Sequence, residues 1–247
     1  MITLHNLSLP ASPALIQGGM QSLSLQLQRG EALWVVGPAE SGKTALLDTL
    51  ALRRPVAGPA TILNEPLNPR FPARTRQRLR QRIGYIDANP LFMDRLSLAD
   101  NVALPLELAH FRHAEIQRET EAILQWFGLQ DHAQALPTTL SHTTRLRAAC
   151  ARALITHPSL ILVDEPALTL CPELREHLLS TIKDLVQNGA TALFAIRTRP
   201  PEVSFPEATL TLPYNPPAPT EGEKEEIPPS LFAPLTPMAP TYEGRFS

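Results

Sequence analysis

Beyond residue 31, short apolar runs alternate along the chain with longer stretches in which apolar residues recur every three or four positions. A brief apolar run suits a strand covered on both faces, whereas the wider spacing gives a helix a single apolar side. The predicted strands are Ala32 to Val36, Ile83 to Ile86, Leu160 to Val163 and Thr191 to Ile196. Residues 173–187 carry Leu174, Leu178, Ile182, Leu185 and Val186 at helical spacing, with Pro172 ahead and Gly189 behind, so this helix buries one side on the sheet. Strands alternating with helices imply a parallel sheet with helices on both faces, and the fold class is α/β. Between residues 97 and 136 the pattern is helical throughout. Ser97 and Asp100 can cap one helix, and residues 113–127 form another, stopped at Gly128. This stretch reads as a small helical subdomain inserted into the sheet domain.

Other features narrow the partners. With 247 residues, 43% of them apolar, the chain has material for one substantial domain or two small ones. A net charge of −2 supplies no general attraction to nucleic acid or anionic membrane. Residues 70–82 hold six arginines, but no aromatic residues alternate with them to stack bases, so a solvated surface helix is expected and no nucleic-acid partner. Cys150 and Cys171 are the only cysteines, which fits a reducing compartment without a disulfide framework. The start, MITLHNLSLP, lacks a secretory pattern, and no apolar run approaches the ~20 residues of a membrane span. Any membrane role is therefore expected to run through a partner chain. Twelve of the 26 prolines fall in the last 48 residues, beside an acidic cluster at 221–226, which predicts an extended, poorly packed tail. Its segment Ser230, Leu231, Phe232, Ala233, Pro234, Leu235 can dock on a neighbour or remain a plain disordered terminus.

The chemistry is concentrated in two places. Gly37, Pro38, Ala39, Glu40, Ser41, Gly42, Lys43 and Thr44 fit the phosphate-binding pattern G-x-x-x-x-G-K-[ST]. They stand between an apolar strand and a helix that opens with Ala45. In such a loop, successive backbone N–H groups wrap the terminal phosphates, and the helix N-terminus adds a partial positive charge. Lys43 reaches the phosphates and Thr44 offers its hydroxyl to Mg²⁺. The second place is the end of the strand LILV, where Asp164 and Glu165 emerge. Asp164 is placed to hold Mg²⁺ through water and Glu165 to polarise an attacking water.

With SLILVDEP and the preceding LSHTTRLRAACARALITHP in view, the chain resembles the ATP-binding cassette family, the nucleotide-binding subunits of membrane transporters. The resemblance covers residues 1 to about 212 and follows the family's order of loop, IGYIDANPLF, helical insertion, signature helix, aspartate–glutamate strand and switch strand. It implies a P-loop NTPase with a RecA-like parallel core. The core's first part would be 1–95, the helical subdomain 96–139, the signature helix and second core part 140–212, and the Pro-rich tail 213–247. It also implies ATP and Mg²⁺ as cofactors, a transmembrane permease subunit as partner, and a second nucleotide-binding subunit, same or different, paired head to tail. The implied location is cytoplasmic, peripheral on the inner face of the cell membrane. SLADNVALPLEL resembles the insertion of subunits serving lipid or lipoprotein trafficking, which implies a hydrophobic cargo.

The departures from the family pattern point to impaired ATPase turnover. The signature, normally LSGGQ, reads Leu140, Ser141, His142, Thr143, Thr144, and side chains at both glycine positions are expected to obstruct closure if either needs positive φ or close approach. The glutamine that touches Mg²⁺ and the water aligns with Ala88, with Asp87 or Asn89 as substitutes after a one-residue shift, and the coupling aspartate aligns with Cys171. Arg197 takes the place of the switch histidine, bringing a permanent charge but no proton relay. Residues 1–33 contain no Phe, Tyr or Trp to stack on adenine. Glu40 replaces a usual glycine, giving a form that looks like the loop of heterotrimeric G-protein alpha subunits, although the chain has no NKxD or TKxD segment to read guanine. A second reading, of another class, is a catalytically silent structural or regulatory partner of an intact cassette.

Overall fold

In chain order, β1 (Ile2–Pro10) and β2 (Met20–Leu27) pair antiparallel, β3 (Ala32–Val36) leads into α1 (Lys43–Leu50), and β4 (Ala60–Ile62) pairs with β5 (Glu65–Leu67). There follow α2 (Ala73–Arg80), β6 (Ile83–Ile86), α3 (Leu98–Leu108), α4 (His113–Trp126) and α5 (His142–Leu154). The series ends with β7 (Leu160–Val163), α6 (Pro172–Gln187), β8 (Thr191–Ile196) and β9 (Ala208–Thr211). This computed structural model describes residues 1–213 apart from 13, 15–18, 57, 68–71, 88, 166–171 and 201–202. Residues 214–247, and with them most of the expected Pro-rich tail, its acidic cluster and its apolar segment, lie outside the described residues, as do Ala88 and Cys171.

The central sheet is parallel, in the order β6-β7-β8-β3-β9. Because side chains alternate across a strand, each central strand feeds two cores. Trp34, Ile161, Val163, Phe194 and Ile196 face the layer of α3, α5 and α6, and Trp34 packs on Phe194 with ring centroids 5.1 Å apart. Leu33, Val35, Leu160, Leu162 and Leu193 face the other way, toward α1 and a four-stranded antiparallel sheet in the order β2-β1-β4-β5. All four of the sequence-predicted strands are present. The antiparallel sheet was not foreseen, since strand signals were read only after residue 31. Its alternation is disguised in β1: the register slips between Leu4 and Leu7, and Asn6 at φ 47° forms the bulge that turns both leucines inward.

The helices end where their caps allow. Ser97 accepts the Asp100 N–H at 3.1 Å and Asp100 accepts the Ser97 N–H at 3.3 Å, the reciprocal cap expected at the start of α3. α2 buries only Leu79 among its residues and carries its arginines in solvent. No helix among the described residues is long and apolar enough to cross a membrane.

The turn before α3 hangs on Asn101, which is fully buried. Its side chain accepts the Met93 N–H at 2.8 Å and donates to the Met93, Leu96 and Ser97 carbonyls at 3.1, 3.2 and 2.9 Å. Asn101→Ala takes the side-chain partner from the Met93 N–H and the Leu96 carbonyl, while the Met93 and Ser97 carbonyls keep the Leu96 and residue-101 N–H groups, at a cost of about 2 kcal/mol. Urea titration is expected to show the lower midpoint with an unchanged slope.

Candidate functional site

β3 runs straight into the phosphate-type loop, so the loop sits at the C-terminal edge of the parallel sheet, where ligands of such sheets bind. Two glycines make its path possible. Gly37 lies so close to the end of β9 that a Cβ there would fall on the Leu212 carbonyl. Gly42, the N-cap of α1, has φ 93°, and a Cβ would stand 2.8 Å from the Pro10 carbonyl oxygen. Glu40 is left-handed too, at φ 61°, a conformation costing about 1 to 2 kcal/mol for a residue with a Cβ. Its carbonyl is held by the Ser12 N–H at 2.9 Å.

Lys43 is almost wholly buried, and its ammonium donates to the Gly37 and Pro38 carbonyls at 2.7 Å each. Burial lowers its pKa, the Glu165 and Asp164 carboxylates oppose that, and the Arg197 charge adds to it. The Thr44 hydroxyl donates to Asp164 at 3.2 Å, joining α1 to the end of β7 although β8 runs between β7 and β3. Asp164 also accepts the Glu165 N–H at 2.9 Å, yet burial dominates and raises its pKa. Ser41 buries a hydroxyl oxygen with no hydrogen-bond partner among the described residues.

Glu165 lies beside the end of β8, where it accepts the Arg197 N–H at 3.2 Å and has the Arg197 guanidinium Nε at 4.0 Å. The structure therefore gathers Lys43, Thr44, Asp164, Glu165 and Arg197 at one edge. Pro38, Ala39 and Ala45 belong to the same loop and helix start. Leu140 and Ser141 stand elsewhere, at the start of α5, and share no hydrogen bond or ion pair with the loop among the described residues. Ser141 caps that helix by accepting the Thr144 N–H at 3.1 Å, while Leu140 packs on the core. His142 and Thr143 lie inside α5, so neither needs the left-handed backbone that would demand glycine. Asp87 is engaged elsewhere, with Arg53 at 2.8 Å and the Asn89 N–H at 3.0 Å.

Sequence reasoning missed the wall of the site. Pro10, Ala11 and Ser12 line, with loop residues 40–45, a cavity of about 340 Å³. Gln21 reaches in from β2 to donate to the Ser41 carbonyl at 2.6 Å. No local motif marks these residues, because they arrive through the antiparallel sheet.

The donor set fits a magnesium-bound triphosphate. Ser41 has hydrogen-bonding capacity to give, Lys43 is a buried cation, and Thr44 and Asp164 bring two oxygens together for a hard ion. No cluster of three or more His, Cys, Asp or Glu suited to a metal occurs among the described residues.

A parallel sheet with this loop at its edge and a carboxylate facing it across one intervening strand defines a P-loop NTPase. Residues 20–168 match the family described as ABC transporter, and the chain belongs to that family. It is 32% identical to the methionine import ATP-binding protein MetN of Bifidobacterium longum over 68% of this chain and 42% of that protein. It is 35% identical to MetN of Mesorhizobium japonicum over 70% and 48%, and 32% identical to the L-cystine import ATP-binding protein TcyN of Bacillus subtilis over 70% and 68%. The chain spans about half the length of the MetN relatives it matches. Among solved structures, the dimeric post-hydrolysis state of the ATP-binding cassette MJ0796 bound to ADP and Pi shares the fold with a TM-score of 0.71 at 23% identity, covering 80% of this chain and 88% of that one.

Asp164 is raised above its unfolded-state pKa, so its ionised form at neutral pH opposes folding. Asp164→Asn keeps an acceptor for Glu165 and removes that charge. The variant is expected to melt higher than the wild type in chelator, and to lose the stabilisation that Mg²⁺ with nucleotide gives the wild type, both read by thermal melts.

Proposed function

We propose that the chain is the ATP-binding subunit of an ABC transporter, binding Mg·ATP at residues 37–45 and coupling it to a transmembrane permease with impaired turnover. The observation that carries this reading is the junction of Lys43, Thr44 and Asp164 at the strand ends, in a chain of this family. Bound Mg²⁺ supplies charge neutralisation on the phosphates. Thr44 and Asp164 would hold it, Lys43 and the N-terminus of α1 would stabilise the terminal oxygens, and Glu165 would orient the water. Arg197 adds a fixed charge beside that water but relays no proton, and its contact with Glu165 draws the carboxylate toward the switch strand.

A membrane partner is supported by apolar side chains left in solvent around the helical insertion: Leu91, 85% exposed, with Met93, Leu108 and Phe111. The hydrophobic, lipid-like cargo expected from SLADNVALPLEL draws no support from the relatives. Their names favour a small sulfur-bearing amino acid. Pairing with a second cassette follows the family, and the altered signature favours a mixed pair in which an intact LSGGQ faces this chain's loop. A silent regulatory partner is the second reading, favoured by His142 and Thr143 at the glycine positions.

Lys43→Ala removes the ammonium that would pair with the phosphates and is expected to weaken Mg·ATP binding by about a hundredfold or more, read by calorimetry. Equal affinity in both proteins removes the site. Turnover in the complex copurified from its membrane is expected to be slow and to fall about a hundredfold in Glu165→Gln. Turnover indistinguishable from background in both forms selects the silent reading.

A further inference from the structure

We infer that the arginine face of α2 is the docking site of this chain's own acidic segment, residues 221–226, and that charge alone holds the two together. The net charge of −2 conceals two opposed concentrations. Arg74, Arg76, Arg78, Arg80 and Arg82 are all exposed on α2 and the turn after it, and Leu79 is the only buried residue of the helix. Among the described residues one carboxylate meets them, that of Glu65, 3.3 Å from Arg78. Arg80 and Arg82 donate to neutral oxygens, the Leu52 carbonyl and the Ser159 hydroxyl. Arg74 and Arg76 have no hydrogen bond or ion pair among the described residues. Arg74 with Arg78, and Arg76 with Arg80, are like charges four positions apart, an arrangement that strains a helix until anions come between them.

The occupant follows from charge and reach. Residues 221–226 bring four glutamates against one lysine. They are tethered through Pro213 beyond β9, one outer strand of the central sheet, while α2 leads straight into β6, the other outer strand. Four strand spacings set those edges about 19 Å apart, and the chain from 213 to 221 extends to about 27 Å, with each further residue of the cluster adding about 3.4 Å. An exposed ion pair is worth little by itself, but the tether lets several act together without the entropy of bringing two molecules together. Gln81, at the end of α2, donates to the Leu108 carbonyl at 3.0 Å. A docked tail therefore lies beside the apolar patch proposed for a membrane partner, although the docking does not depend on that proposal.

Carbodiimide coupling of the full chain at low ionic strength, read by mass spectrometry, tests this in Arg76→Lys, which keeps the charge and adds an amine. Lys183, exposed on α6, is the internal reference. Residue 76 is expected to join the glutamates of the cluster at least about tenfold more often than Lys183 does. Salt at about 1 M, where the Debye length is ~3 Å, is expected to abolish the excess. Adding Arg74→Gln and Arg78→Gln to Arg76→Lys, with both positions in solvent, is expected to cost about fivefold in coupling. Equal coupling at residue 76 and Lys183, or coupling that survives the salt or the two neutralised arginines, overturns the inference. So does coupling found only between labelled and unlabelled copies in an isotopic mixture, which assigns the face to a second chain. Binding of the face to phosphatidylserine vesicles without any tail coupling overturns it as well and assigns the face to a membrane.

Discussion

A carboxylate taken out of water needs compensation, and at Asp164 the groups that compensate it are also those that align the site. Its two oxygens are held by the Thr44 hydroxyl and the Glu165 N–H, and its own N–H is held by the end of β6. Those bonds tie α1, β6 and β7 into one edge. Their total falls short of burial, which still raises the Asp164 pKa. The protein thus holds a carboxylate whose ionised form is best satisfied by a cation, beside a lysine whose charge is likewise disfavoured by its surroundings. In the proposed site, a metal and a polyanion bound together would relieve both.

The two cores explain why this edge holds its shape. Each central strand is pinned from both faces by alternate side chains, so the strand ends have little freedom to drift. The loop is then drawn against two neighbours: Gly37 lies under the end of β9, and Gly42 against Pro10 of β1. Glu40 keeps a left-handed conformation in this frame, an expense the Ser12 contact offsets in part. The antiparallel sheet is therefore more than a cover for α1. Its residues Pro10, Ala11 and Ser12 line the cavity beside the loop.

The departures at Arg197, His142 and Thr143 have different physical weights. Arg197 acts within the chain, since its backbone N–H and guanidinium both meet Glu165. His142 and Thr143 sit in ordinary helical geometry and leave the fold undisturbed. Their effect is confined to what approaches the start of α5 from outside. In the mixed pair proposed above, a partner's intact signature would serve this chain's loop, while the site that uses His142 and Thr143 would stay altered.

Much was legible in the residues alone because its causes are local. Eight consecutive residues specify a phosphate-binding loop, a short apolar run specifies a doubly covered strand, and Ser97 with Asp100 three positions on specifies a helix start. The α/β class and the pairing of loop with Asp164 and Glu165 followed from such signals. What stayed hidden depends on groups far apart in the chain. Thr44 and Asp164, 120 positions apart, were assigned to one ion by motif, but the strand between them and the bond across it belong to the folded sheet. The bulge at Asn6, the reach of Gln21 to the loop, the engagement of Asp87 by Arg53, and the Pro10–Ala11–Ser12 wall carry no local signature. They arise because packing two sheets around α1 brings together backbone and side chains whose neighbours in sequence say nothing of one another.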